Sequence, residues 1–261
     1  MITSSSNSKI KLIRSLLSRS RNRQSEQAFV AEGVRLIEDA LDVGWPTRFI
    51  LFDSSLSERG FSLIKNLEQD QIIEMSEITP ELMSDISDTE TPQGIIAVLE
   101  KHKVSFPVHP TFLVIADQIR DPGNLGTLIR TAEAAGADAV LTTPGTVDTY
   151  SPKVIRAGMG AHFHLPIKEC PWEEIHSIVG EIPVFLAEAE GGITLWEANM
   201  SQPCALLIGG EAFGASLQGE AFATDRVTIP MQGRAESLNA AIAGGILIAE
   251  VLRQRFKPQK E

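Results

Sequence analysis

Through the first hundred residues, short apolar runs alternate with amphipathic stretches. Phe49 to Phe52, Ile72 to Met75 and Ile95 to Leu99 read as strands, while Val34 to Leu41, Leu63 to Leu67 and Pro80 to Ile86 carry helical spacing. Together they predict a small α/β unit. From Lys101 to Pro110 charge and proline mix without periodicity, the pattern of an exposed linker, and a domain boundary near residue 106 follows. Beyond it the alternation resumes: strands at Phe112 to Ala116, Val140 to Thr142, Val184 to Ala187, Cys204 to Ile208 and Val227 to Ile229, and helices at Leu125 to Ala135 and Trp172 to Val179. In a long final helix, Leu238, Ala241, Ile242, Gly245, Ile246, Ala249 and Leu252 recur at three- and four-residue steps and predict a buried face. The expected fold is therefore α/β, with residues 1–105 forming a smaller domain and residues 106–261 a larger one built on a mostly parallel sheet covered on both faces.

Composition narrows this picture. A chain of 261 residues that is 43% hydrophobic can bury a substantial core. Its longest apolar runs are far short of the ~18 residues a membrane span needs, so a soluble protein without membrane partners is expected. Cys170 and Cys204 form neither a disulfide framework nor a metal motif and read as buried reduced thiols, which fits a cytoplasmic protein. The net charge of −11 argues against a polyanionic partner, but its distribution argues for one. From Met1 to Arg35 stand Lys9, Lys11, Arg14, Arg19, Arg21, Arg23 and Arg35 against only Glu26 and Glu32, which marks the amino end as the expected phosphate-facing part. A Ser- and Arg-rich, acid-poor start also resembles an organellar transit peptide.

Common chemical motifs are missing in informative ways. Gly209 and Gly214 are spaced as in a phosphate-binding loop, yet Ala215, before Ser216, stands where that loop's lysine would be. Gly158-Met159-Gly160 begins like a dinucleotide fingerprint, but Phe163 occupies the third glycine's place. His162 and His164 would share one face of a strand, without a third ligand at suitable spacing, so no metal is expected. Three loops remain, each after a predicted strand: Asp117 to Ala132, containing Arg120, Asn124, Gly126 and Arg130; Ile208 to Gly214, containing Gly209, Gly210 and Glu211; and Ile229 to Ala241, containing Met231, Gly233, Ser237, Leu238 and Asn239. Carboxyl ends of parallel strands are where backbone and polar side chains meet ligands.

These loops resemble the three motifs of the SpoU (TrmH) branch of the SPOUT methyltransferases. Tyr150 to Ala161 is similar to the family's segment between its first two motifs. Ile2-Thr-Ser with Asn7, Ile10 and Lys11, then Phe29 to Gly33 and Thr91 to Gly94, resembles its L30e-like amino-terminal RNA-binding domain, which argues against the transit peptide. The resemblance implies a trefoil-knotted carboxy-terminal domain, S-adenosylmethionine (AdoMet) as cofactor, a homodimer, and 2'-O-methylation of a ribose in ribosomal or transfer RNA, ribosomal RNA being the more expected of the two. It further implies catalytic residues Asn124, Arg130, Glu211, Ser237 and Asn239, and cofactor contacts from Gly209, Gly210, Ile229 and Leu238, with Thr143 and Gly145 bordering the same pocket. Read singly, Asn124, Ser237 and Asn239 are also ordinary turn or capping residues, and Arg130 an ordinary surface ion-pair partner. A guanidinium resists deprotonation, so Arg130 is expected to clamp a phosphate rather than act as base. Two departures stand out: Ala212 and Phe213 lie where smaller residues are common in the family, and Gly244-Gly245 loosens the last helix by about 1 kcal/mol per glycine. The alternative from another class is an RNA-binding assembly factor that keeps the fold without methyl transfer.

Overall fold

The computed structural model describes residues 1–70, 73–211 and 213–256; Ile72 and Ala212 lie outside them. Its contacts divide into two compact units, residues 1–103 with 150–163, and residues 104–149 with 164–261.

The first unit runs α1 (Ser8–Ser18), α2 (Ser20–Glu26), β1 (Ala28–Glu32), α3 (Val34–Asp42), β2 (Thr47–Phe52), α4 (Glu58–Asp70), β3 (Glu74–Glu77), α5 (Pro80–Ile86) and β4 (Ile95–Glu100). Its sheet has the order β1-β4-β2-β3. Asn7 starts α1 by accepting a hydrogen bond from the Lys9 N–H, and Ile10, Ile13 and Leu16 seat the helix on the buried core with Val30, Phe49 and Met83. The basic amino end is thus a packed helix pair rather than a free arm. Lys9 pairs with Glu74 and Arg14 with Asp85, while Arg23 is buried and donates to the Leu16 carbonyl at 2.5 Å. These three cations, expected to face phosphate, are engaged within the unit.

The second unit opens with β5 (Phe112–Asp117), α6 (Pro122–Ala134) and β6 (Ala139–Thr142). The chain then returns to the first unit for α7 (Pro152–Gly158) and a 3-10 turn at Ala161–Phe163. Tyr150 packs on Phe29 at 4.9 Å between ring centroids, Phe163 on Trp45 at 5.1 Å, and Arg156 pairs with Asp88 at 3.0 Å. Sequence continuity had grouped this segment with residues 106–261; aromatic packing and an ion pair hold it on the first unit instead. The strand expected to align His162 with His164 does not form, since His162 sits buried in the 3-10 turn.

The second unit continues with β7 (Ile167–Glu169), α8 (Trp172–Val179), β8 (Val184–Glu188), β9 (Ile193–Thr194), β10 (Cys204–Gly209), α9 (Leu217–Phe222), β11 (Asp225–Thr228) and α10 (Ala240–Arg255). Its seven strands are all parallel, in the order β7-β6-β5-β10-β8-β11-β9. Every residue of β5 is buried, as a central strand covered on both faces requires. After β5 the chain winds outward to β6 and β7. It then crosses to β8 and comes back to insert β10 between β5 and β8. Loops that leave β5 and β10 therefore diverge at a topological switch point.

In α10 the buried residues are Ala240, Ala241, Gly244, Leu247, Ile248, Glu250 and Val251, whereas Ile242, Ile246 and Leu252 are exposed. The stripe that periodicity marked as the core face is mostly the outer one. Both faces are apolar, so spacing alone could not choose between them. Nor is Gly244 merely a weak point of the helix: a Cβ there would lie 2.5 Å from Leu128 Cδ1, so its absence lets α10 pack closely on α6.

Candidate active site

Four segments meet around one cavity of about 330 Å³ in the second unit: the end of β8, the end of β10, the residues after β11 and the first turn of α10. Gly209, Gly210, Ile229 and Leu238 line it, with Glu211 and Ser237 at the same cavity. The walls are mainly aliphatic and backbone, the make-up of a preformed site for a small organic ligand.

The β10 loop owes its shape to its glycines. Gly210 and Gly214 exchange two backbone hydrogen bonds, at 2.9 and 3.0 Å, folding the loop back on itself. A Cβ on Gly209 would stand 2.3 Å from the Ala215 nitrogen, and one on Gly210 would stand 2.4 Å from the Gln118 carbonyl oxygen. Close backbone packing between the loops therefore demands glycine here, before any ligand is considered. Asp117, fully buried at the end of β5, fixes the arrangement from beneath: it accepts from the Thr143 hydroxyl at 2.7 Å and from the Ser216 N–H, where α9 begins, at 2.6 Å.

Above this floor a polar chain joins the three loops. Asn239 Nδ2 donates to Asn124 Oδ1 at 2.8 Å, and Asn124 Nδ2 donates to Glu211 Oε1 at 2.6 Å; the other Glu211 oxygen accepts from the Arg120 N–H at 3.4 Å. Helix starts hold both asparagines in place. Asp121 caps α6 through the Asn124 N–H, with Pro122 in the first turn, and Asn239 caps α10 through the Ala241 and Ile242 N–H groups. Asn239 is thus a cap and a link at once, whereas Ser237 is exposed in the cavity wall and caps nothing. Arg130 lies two turns along α6, exposed, and forms no ion pair among the described residues.

Of the eleven residues singled out in the sequence, Glu211, Ser237, Gly209, Gly210, Ile229 and Leu238 line the cavity, and Asn124 and Asn239 bond to its rim. Thr143 and Gly145 stand apart: the Thr143 hydroxyl is spent on Asp117 and the Gln118 N–H, and Gly145 packs beside the Gln118 side chain. Missed entirely were Glu188 and Ala189, which line the cavity from the end of β8. The one available signal was that they follow a predicted buried strand.

A parallel sheet opened at a switch point gathers three glycine- and amide-rich loops at one cavity, and the whole chain shares the α/β SPOUT fold of SpoU methyltransferase structures. Residues 111–249 match the SpoU rRNA Methylase family and residues 7–97 an MRM3-like substrate binding domain. The chain belongs to the SpoU rRNA methylase family, whose carboxy-terminal domain is knotted. It is 32% identical to a 23S rRNA (uridine(2479)-2'-O)-methyltransferase of Streptomyces viridochromogenes, over 97% of this chain and 92% of the relative. To the 23S rRNA (guanosine(2553)-2'-O)-methyltransferase RlmP of Bacillus subtilis it is also 32% identical, over 95% and 97%. The AdoMet-bound rRNA methyltransferase structure from Sinorhizobium meliloti superposes with a TM-score of 0.87 at 31% identity, covering 98% of both chains.

Proposed function

We propose that the protein transfers the methyl group of AdoMet to a ribose 2'-hydroxyl of ribosomal RNA, in the cytoplasm and as a homodimer. The observation that carries this reading is the Asn239–Asn124–Glu211 chain beside the cavity, which assembles polar groups of all three loops at one edge of the cofactor site. AdoMet fits a largely aliphatic cavity with a backbone-rich wall, where Gly209, Gly210, Ile229 and Leu238 would hold it. When bound, it supplies an electrophilic methyl carbon on a sulfonium.

What remains for the protein is alignment and proton handling. This chain would place the ribose 2'-hydroxyl in line with the methyl carbon and leave its proton a path to an RNA phosphate or water. Glu211, held by Asn124, fixes the rim against which the ribose is placed, and Ser237 offers a hydroxyl to the same space. Arg130 keeps its charge and clamps the phosphate next to the target ribose. The first unit, which matches a substrate-binding family, grips the folded RNA. Support for a second copy of the chain comes from the exposed apolar stripe Ile242, Ile246 and Leu252 on α10. The two named 23S rRNA relatives act on a uridine and a guanosine, so residues outside their shared motifs must choose the nucleotide.

The test is transfer of labelled methyl from AdoMet to unmodified ribosomal RNA by wild type and Arg130→Ala, with the product nucleosides identified. A 2'-O-methylnucleoside that disappears in the variant supports the assignment. Tight RNA binding without transfer to any RNA would instead favour the assembly-factor reading.

A further inference from the structure

Phe213 is 87% exposed, the most exposed large hydrophobic residue among those described. It projects from the tight turn that Gly210 and Gly214 close with paired backbone hydrogen bonds, two residues from Glu211 and at the edge of the cofactor cavity. An aromatic ring left in water beside a reaction centre gains nothing for the fold, because leaving a phenyl group exposed forfeits its burial energy.

We propose that Phe213 is a stacking platform for a nucleobase of the RNA, at or next to the methylated nucleotide, and so helps choose which nucleotide enters the site. The proposal rests on the methyltransfer reading above. Three features favour a base over other occupants. An exposed aromatic face is what splayed-out single-stranded bases stack on. Positive charge stands in the other two loops: Arg120, Arg130 and Arg234 are exposed and make no ion pair among the described residues, as is also true of Arg19, Arg21 and Arg35 in the first unit. A polyanion threading past the cavity explains both the free arginines and the free ring. A lid over the cofactor, by contrast, would rest against the cavity walls, and a ring that is 87% exposed rests on very little.

The experiment compares wild type, Phe213→Ala and Phe213→Trp on an in vitro-transcribed, unmodified 23S rRNA, with AdoMet affinity measured separately by calorimetry. Phe213→Ala is expected to raise KM for RNA by roughly tenfold while AdoMet affinity stays within about twofold, base–aromatic stacking being of this size. Phe213→Trp should restore KM, and its added fluorescence should be quenched by RNA beyond the change seen in wild type. Weakened AdoMet binding with unchanged KM for RNA would make the ring a cofactor lid, and a shift in sedimentation with both parameters unchanged would make it a contact for a second copy. Either overturns the proposal, as does a Phe213→Ala variant that matches wild type in everything. If wild type itself transfers no methyl to RNA, the underlying reading fails, and that result is distinct from any variant effect.

Discussion

At the scale of single residues, the site is a matter of which polar groups are spent and which are left available. Asp117 and Thr143 are spent on each other and on the Ser216 N–H. Asp117→Ala strands these partners in a buried place and should cost about 3 kcal/mol. A parallel drop in AdoMet affinity would show that the β10 loop has lost its anchor; unfolding curves and calorimetry read the two effects. Arg130 is available. If it grips phosphate with its planar fork, Arg130→Lys should lower kcat/KM for RNA by roughly ten- to a hundredfold with AdoMet binding intact; near-normal turnover would rule out a bidentate clamp. Burial pushes the Cys170 thiol up to about 11, with Glu174 adding to the shift. In the native protein it should therefore resist a thiol reagent at pH 8 and react only on unfolding. Because the raised value belongs to the folded state, stability from this group is intact below the ordinary thiol range and fades as pH climbs through about 9 to 11. Most catalytic candidates were legible at this scale, since Asn124, Glu211 and Asn239 stand in loops that follow strands. The direction of the Thr143 hydroxyl, inward to Asp117 and the Gln118 N–H, is set by partners that its own stretch of sequence does not contain.

At the scale of elements, α10 shows where periodicity stops. Its two faces are both apolar, so the pattern announced a helix without orienting it; the choice is made by the fit of Gly244 against Leu128 of α6. Gly244→Ala should accordingly destabilise by about 1 kcal/mol net, overpacking outweighing the gain in helix propensity, a difference readable by chemical denaturation. The far end of the helix carries a charge device. Glu250 accepts hydrogen bonds from Arg253 and Gln254 although it is nearly buried, and the Arg253 guanidinium holds its carboxyl below the usual carboxylate range. Since the folded value is depressed, this stabilisation is present above the unfolded carboxylate range and is lost on acidification. Glu250→Gln should remove about 1 kcal/mol at neutral pH, Arg253 being largely exposed and screened, and should flatten the acid limb of the stability profile. Helix α1 teaches the reverse lesson. Asn7 followed by Ile10, Ile13 and Leu16 is a cap and a stripe that the sequence displays among closely spaced arginines and lysines.

At the scale of the whole molecule, the exposed stripe on α10 predicts association. Ile242→Asp combined with Ile246→Asp should yield monomers in sedimentation velocity, with the fold of the protomer retained by circular dichroism; an unchanged oligomer would place any interface elsewhere. The sequence by itself determined the α/β class, the order of nearly all the strands and helices it marked, and the identity of the three loops, because hydrophobic period, glycine and helix-capping residues act over a few neighbours and are written locally. Tertiary structure decided what depends on partners distant in the chain. It inserted β10 between β5 and β8, bringing Glu211 to Asn124 across 87 positions. It returned residues 150–163 to the first unit through Phe29, Trp45 and Asp88, and turned the expected inner face of α10 outward. Each of these outcomes is a competition among surfaces of similar polarity, settled by shape and close packing rather than by any signal a short stretch of sequence can carry.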